Sequence, residues 1–323
     1  MISTPQKRLR ILTGSHHSEL AENVAKRLGV PVTDSQLSRF ANGEVKCKLA
    51  ESVRGADVFI FQTHSSPVND AIVEQAVLID AAKRASARHI TAVCPFLGYA
   101  RQDRKASGRE PISAKLVVNI LKVAGADRIV SVDLHSGQIQ GFFDGPFDHL
   151  IAMPVLLSHL KQKFGSNLVI VSPDAGRVKL SERYVDKLGA DMAIIHKRRK
   201  KNGNGAEALH LIGEDVKGRH CVIIDDMIDG AGTMCAAAAL LKKSGATTVS
   251  AMATHGIFST PATERLSKSS IDYIAITDTL PLPEGLIKPK VEVVSVVNLI
   301  ADAVNAIFED SSVSALFDGD NQT

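Results

Sequence analysis

The stretch Cys221–Cys235, "CVIIDDMIDGAGTMC", joins three kinds of local chemistry without a break. Val222–Ile224 are apolar and β-branched, which reads as a strand buried on both faces. From Thr233 onward the chain turns to helix formers. Between them, Gly230 and Gly232 let the backbone approach a ligand closely, and Thr233 adds a hydroxyl. A loop running from a strand into a helix N-terminus offers backbone N–H groups and a positive dipole end to an anion. Yet Asp225, Asp226 and Asp229 stand beside that turn. Carboxylates are poor phosphate ligands and good acceptors for sugar hydroxyls, so a phosphorylated sugar satisfies both ends of the motif. The alternative is a plain strand–turn–helix junction whose acids are solvated.

The same alternation extends outward along the chain. Strands are predicted at Arg10–Gly14, Asp57–Thr63, His89–Pro95, Arg128–His135, Leu168–Ser172, Asp191–His196, Cys221–Asp225, Val249–His255, Ile271–Thr279 and Val291–Val296. Amphipathic helical segments such as Val68–Ala87, Ala114–Gly125 and Met234–Gly245 lie between several of them. This pattern implies α/β architecture with parallel sheets and crossover helices. "LKVAGADRIVSVDLHSG" (Leu121–Gly137) aligns without a gap with "LKKSGATTVSAMATHGI" (Leu241–Ile257). A helix closed by a Gly cap explains part of the match; the His shared at an offset of 120 residues favours duplicated halves. Two similar domains are therefore expected, 1–150 and 151–317, with 318–323 as a frayed tail. On that alignment "KASGREPIS" (Lys105–Ser113) stands opposite the acidic turn.

Bulk properties narrow the class. The 323 residues suffice for two domains, and 45% hydrophobic with 23% charged residues is a globular composition. A net charge of +3 and the absence of Trp argue against a nucleic-acid partner. Cys47, Cys94, Cys221 and Cys235 lack CxxC spacing and read as reduced thiols. With no signal-peptide pattern and no apolar run of spanning length, no membrane association is expected, and the location reads as cytoplasmic.

Four further segments run out of predicted strands, where open α/β sheets bind ligands. "GYARQDRKASGRE" (Gly98–Glu110) gathers Arg101, Arg104, Lys105 and Arg109, which suits a polyphosphate nucleotide or, more blandly, a solvated basic loop. "SVDLHSGQIQGFFD" (Ser131–Asp144) sets His135 at a strand end, and "VIVSPDAGR" (Val169–Arg177) does the same for Asp174. One His and one carboxylate are too few for zinc, but they suffice for Mg2+, which keeps waters and substrate oxygens. "AIIHKRRKKNGNG" (Ala193–Gly205) carries five consecutive cations, Lys197–Lys201, as a solvated tether or as a loop that closes over a reaction centre.

Taken together, "RFANGEVKCKL", "YARQDRK", "DLHSGQIQGFFD", "SPDAG", "HKRRK", "DDMIDGAGT" and "THGIFS" resemble, in order and almost end to end, the ribose-phosphate pyrophosphokinase family. The resemblance implies two type I phosphoribosyltransferase-like domains. It also implies transfer of the β,γ-diphosphoryl group of ATP to the 1-hydroxyl of ribose 5-phosphate, with AMP leaving. By motif match, Asp225 and Asp226 would bind the ribose hydroxyls, and Asp229, Gly230, Ala231, Gly232 and Thr233 the 5-phosphate. Arg101, Gln102, Asp103 and His135 would contact ATP. Phe40, Asn42, Gly43 and Glu44 would complete the adenine site from a neighbouring subunit, so at least a dimer, and by family habit a hexamer, is expected. His135 and Asp174 match Mg2+ ligands. Lys197 and Arg199 match the cations of the transition state, Arg199 also lying by the sugar phosphate. Ser52, Arg54, Lys105, Arg109, Ser312 and Ser314 match parts of an allosteric phosphate site.

Some positions leave the family pattern. Gly230 and Ala231 stand where Thr and Gly are usual, Gly137 replaces a residue of the regulatory site, and Arg177 and Lys179 follow "SPDAG" where small residues are common. Two rival readings remain: a phosphoribosyltransferase, which would consume the diphosphorylated sugar, and a catalytically silent subunit of a synthetase.

Overall fold

Short apolar runs become parallel strands in two separate sheets, and the helical segments cross over between them. The computed structural model describes residues 7–165, 167–198, 208–283, 285–286 and 290–317. Contacts divide the chain into two compact units.

The first unit opens with β1 (Leu9–Thr13), α1 (Ser18–Leu28) and a small antiparallel hairpin, β2 (Ser38–Arg39) and β3 (Val45–Lys46). There follow β4 (Asp57–Phe61), α2 (Val68–Arg84), β5 (His89–Cys94), α3 (Ser113–Ala124), β6 (Arg128–Val132) and β7 (Phe147–Leu150). Its five-stranded sheet runs β1-β4-β5-β6-β7, and every pairing is parallel. Outside β1, Val32 makes an isolated parallel bridge to Ile11. Strands β4 and β5 are almost wholly buried, which is why they read as unbroken apolar runs. The core includes Ile60, Leu78, Ala92, Val118, Leu121 and Ile129.

The second unit contains α4 (Met153–Phe164), β8 (Leu168–Ser172), α5 (Val178–Leu188), β9 (Asp191–Arg198), β10 (Ala208–Gly213) and β11 (His220–Ile228). It continues through α6 (Gly232–Lys243), β12 (Thr248–Gly256), α7 (Ala262–Ser267), β13 (Tyr273–Thr277) and β14 (Val291–Val294). Its sheet order is β10-β9-β8-β11-β12-β13-β14, parallel except for β10, which pairs antiparallel with β9. The expected class, two similar α/β domains each built on a mostly parallel sheet flanked by helices, is the one observed.

Two sequence expectations need correction. First, α8 (Val297–Phe308) belongs to the first unit, not to a second domain running to 317. It packs on α1; Arg27 hydrogen-bonds Asn298, and Lys7 donates to the Phe308 carbonyl at 2.9 Å. The buried Phe317 closes the described chain there; residues 318–323, read as a frayed tail, lie outside the described residues.

Second, the two units share one strand plan, but the equivalent positions do not fall 120 residues apart. In both units the chain makes one strand, a helix and an outer pairing, then crosses to the other side of that first strand. β1, α1 and the Val32 bridge thus match β8, α5 and β9, and β4 to β7 match β11 to β14. Helices α1 and α5 start 160 residues apart, at Ser18 and Val178. Both end on a left-handed glycine, Gly29 at φ 71° and Gly189 at φ 61°. On this alignment β6 corresponds to β13, not β12. The Leu121 and Leu241 stretches look alike because both are helix ends closed the same way: Ala126 and Ala246 each donate to the leucine carbonyl at 3.0 Å. The counterpart of the acidic turn is therefore Gln62–Pro67, not the Lys105 loop.

Candidate active site

In the second unit β8 leads to β9 on one side, and the chain then returns to place β11 on the other. Such a reversal opens a crevice at the carboxyl ends of the two strands. β11 pairs with β8 only as far as Ile223↔Val171, yet it continues beside β12 to Ile228↔Gly256. Asp225 and Asp226 thus lie inside β11, past the end of β8 and within the crevice. Asp226 is buried and Asp225 nearly so. Burial, followed by the adjacent Asp226 carboxyl, pushes Asp225 upward from the usual carboxylate range, while Arg177 pulls it back.

The turn after β11 is three residues long, Asp229–Ala231, and α6 starts at Gly232. Ala231 caps that helix in the left-handed conformation, φ 57°. This costs an L-residue about 1–2 kcal/mol. Its methyl, standing where the family usually has none, is buried in the core with Met234 and Ala237. The first helical bond runs from Cys235 N–H to Ala231 O at 3.0 Å. Ala231 brings no side-chain cap of its own, and the opening amides of the helix, those of Gly232 and Thr233 among them, lie at this end. Arg265 Nη1 donates to Gly230 O at 2.8 Å, placing a second guanidinium beside the turn. Sequence reasoning missed Arg265, which lies 35 residues along the chain in α7 with no local motif to mark it.

Asp174 follows β8. Its Oδ1 accepts the Gly176 N–H at 2.9 Å, and its carbonyl accepts the Ser172 hydroxyl at 2.7 Å. Lys197 does not lie on a loop, as the sequence suggested: β9 runs two residues beyond His196, and Lys197 pairs with Leu209 of β10. Arg199 lies outside the described residues.

In the first unit, the basic loop leaves β5 through Pro95–Gly98. His64 Nδ1 accepts the Gly98 N–H at 2.9 Å, and Tyr99 Oη donates to Asn69 Oδ1 at 2.6 Å. Arg101 and Gln102 are exposed, and Gln138 donates to Asp103 Oδ2 at 2.7 Å. That bond ties the loop to the segment bearing His135, which follows the adjacent strand β6. Asp133 takes φ 37° at the end of β6, an unusual backbone of the kind that gathers at functional sites. An added methyl at Gly98 would come within 2.9 Å of Val68 and 3.0 Å of His64. Gly98→Ala is expected to lower stability by about 1–3 kcal/mol; a denaturant midpoint equal to wild type would contradict this.

Phe40–Glu44 form the tip of the β2–β3 hairpin, closed by Phe40 N–H to Glu44 O at 2.9 Å, with Gly43 at φ 92°. The Asn42-Gly43 pair signals a hairpin, and that signal was overlooked. Phe40 is 52% exposed, with the Lys46 ammonium 5.7 Å from its ring centroid. At the hairpin base, Arg39 pairs with Asp70 at 3.5 Å and Glu74 at 3.7 Å.

The six candidate allosteric residues do not form one group within a chain. Ser52 and Arg54 precede β4. Ser312 and Ser314 follow α8, whose end is held by Lys7, just before β1. These four share the amino-terminal edge of the sheet. Lys105 and Arg109 follow β5, at the opposite edge, a strand length of roughly 15 Å away.

Among the described residues, no cluster of three or more His, Cys, Asp or Glu side chains could hold a metal by itself. None of the helices searched among them is long and apolar enough to cross a membrane.

With this geometry in view, comparison with known proteins is decisive. The chain is 52% identical over 98% of its length to a ribose-phosphate pyrophosphokinase of Streptomyces avermitilis, covering 98% of that protein. The chain belongs to the ribose-phosphate pyrophosphokinase family. It is 48% identical over 98% of its length to the Mycobacterium tuberculosis ribose-phosphate pyrophosphokinase. Residues 9–125 match the model of the N-terminal domain of ribose phosphate pyrophosphokinase, and 206–318 the phosphoribosyl synthetase-associated domain. The crystal structure of phosphoribosylpyrophosphate synthetase from Mycobacterium smegmatis superposes with a TM-score of 0.90 at 47% identity, covering 94% of this chain and all of that one. Membership makes the chain a diphosphokinase, an enzyme of nucleotide biosynthesis.

Proposed function

We propose that the chain transfers the β,γ-diphosphoryl group of ATP to the 1-hydroxyl of ribose 5-phosphate. The observation that carries this reading is the β11–α6 junction. It holds two carboxylates in the crevice and begins a helix at Gly232, six residues beyond Asp226, a spacing that suits the diol and phosphate of one sugar phosphate. Asp225 and Asp226 accept the ribose hydroxyls, and Asp229–Thr233 cradle the 5-phosphate with their amides. Arg101, Gln102 and Asp103, in the loop tied to the His135 segment, receive ATP. Phe40, Asn42, Gly43 and Glu44, on an exposed hairpin, serve a neighbouring subunit. Lys197 and Arg199 meet the charge that develops as the leaving oxygen departs.

His135 of the first unit and Asp174 of the second each match a magnesium ligand of the family, and a single imidazole or carboxylate suits an ion that takes its remaining donors from water and phosphate oxygens. When bound, magnesium supplies charge neutralisation on the diphosphoryl oxygens. Self-association belongs to the same reading, as a dimer at least and a hexamer by family habit. Leu116, Ile120 and Val123 give α3 an apolar stripe that is 38–80% exposed in one chain. An assembly would also unite Ser52, Arg54, Ser312 and Ser314 of one chain with Lys105 and Arg109 of another in the allosteric site. The activity reads as cytoplasmic.

The test is incubation with Mg-ATP and ribose 5-phosphate, followed by phosphorus resonances. AMP and a sugar diphosphate are expected; no turnover would point to a silent subunit. Pyrophosphate released from added sugar diphosphate and a base would point to a transferase.

A further inference from the structure

Arg177 sits at the start of α5, on the β8 side of the crevice, and reaches across to β11. Its Nε lies 2.9 Å from Asp225 Oδ1 and its Nη2 lies 2.8 Å from Asp226 Oδ1. One edge of a single guanidinium therefore spans two successive carboxylates. All three side chains are less than a fifth exposed. The Asp226 N–H also donates to Asp225 Oδ1 at 2.9 Å, which fixes that oxygen from a second direction. Upstream, Arg177 N–H donates to the Asp174 carbonyl at 3.3 Å, so the arm is anchored at its base.

We propose that Arg177 is a positioning residue for the sugar, a built-in counter-ion that holds Asp225 and Asp226 as paired acceptors for two ribose hydroxyls. The inference rests on the proposed function, since it gives the acid pair its ribose ligand. Two adjacent carboxylates at a buried strand end repel each other, so Asp225 holds a proton more tightly than an ordinary carboxylate even beside Arg177, and loss of the guanidinium would raise that hold further. A protonated carboxyl rotates to donate and is a weaker acceptor for a hydroxyl. Arg is suited to the task because its planar fork meets two oxygens at once and stays charged. Its side chain carries no dissociation equilibrium of its own, unlike a dissolved cation that must be bound anew.

The experiment measures binding and turnover separately in the full chain. Calorimetry titrates ribose 5-phosphate into wild type, Arg177→Ala and Arg177→Lys, and steady-state assays give KM for each substrate. For Arg177→Ala we expect the Kd and KM of ribose 5-phosphate to rise roughly 10- to 100-fold, with KM for ATP within about twofold, as expected of a group that touches only the acid pair. Arg177→Lys should fall between the two. Guanidinium chloride at tens of millimolar, against potassium chloride at equal ionic strength, should restore much of the loss in Arg177→Ala but not in wild type. Unchanged ribose 5-phosphate affinity in Arg177→Ala overturns the proposal. So does tighter binding, which would make Arg177 an occupant that the sugar displaces. Equal losses for both substrates without guanidinium rescue, or a loss explained by a lowered melting temperature that Arg177→Lys shares, overturn it as well. A wild type that binds ribose 5-phosphate but makes no sugar diphosphate overturns the proposed reaction alone. One that does neither overturns both.

Discussion

Lys197→Ala is expected to lower kcat by about 10²-fold or more while KM for ATP and for ribose 5-phosphate stays within about threefold. Attack on the β-phosphorus moves negative charge onto the bridging and nonbridging oxygens of the group in flight, and little covalent work is left for the protein. A cation placed for that charge is worth on the order of 3 kcal/mol in the transition state and little in the ground state. The position also makes the substitution a clean probe. Lys197 stands near the end of β9, paired with Leu209 of the edge strand β10, so its backbone is held by a ladder that alanine preserves. Single-turnover rates and the two KM values decide the matter. Near-normal turnover would remove Lys197 from the reaction, and a rise in either KM equal to the fall in kcat/KM would make it a binding residue.

How much of this was legible in the sequence depended on whether the relevant physics is local. The β11–α6 junction was readable in kind, because strand burial, turn glycines and helix onset each leave a mark within a few positions, but not to the residue: the strand expected to stop at Asp225 runs on to Ile228, beside β12. Buried strands such as Leu168–Ser172 were found to the residue for the same reason. The hairpin strands β2 and β3 were missed because two-residue strands carry no period, and β10 because it follows a polar run and lies at a sheet edge. The duplication was assigned the wrong register because helix-closing Gly-Ala pairs recur wherever a helix ends. The true equivalence, by contrast, rests on which strand lies beside which. Arg177 was seen only as a departure from a family pattern. That it bridges Asp225 and Asp226, some 50 residues away in sequence, follows from β8 ending early beside β11, which no local pattern records.

Acid should weaken the first unit through His64, by about 3 kcal/mol between pH 6.5 and pH 4. The ring is fully buried, and its hydrogen bonds define one neutral tautomer. Nδ1 accepts the Gly98 N–H, so Nε2 carries the proton and donates to Gln75 Oε1 at 2.9 Å. The Gln75 amide is fixed in turn, donating to the Ile60 and Val93 carbonyls at 3.2 and 3.5 Å, while its oxygen also accepts the Cys94 thiol at 3.3 Å. Burial pushes that thiol up to about 12, so it remains a donor. A second proton on His64 has no acceptor to face and must turn Nδ1 against an N–H. Burial above all, with the nearby His16 adding to it, lowers its pKa from 6.5 to about 4. In the unfolded chain the imidazole titrates near its ordinary value. The stability tied to the neutral ring is therefore complete above pH 6.5 and is lost as pH falls toward 4. Wild-type stability alone would not isolate the effect. Asp57, held low by Arg88 and His89 against the opposing pull of burial, also loses stabilisation in acid, whereas Asp225 shifts the balance the other way. The readout is thus a difference: denaturant unfolding of wild type and of His64→Gln, with His64→Asn as a second non-titrating variant, at pH 7.5, 5.5 and 4.5. The gap between wild type and variant should move against wild type by about 2 kcal/mol or more across that range, whatever the fixed cost of the substitution. A constant gap would mean that His64 takes up its proton in the folded chain as readily as in the unfolded one. The hydrogen bond that launches the Arg101–Asp103 loop from β5 would then not be the one described.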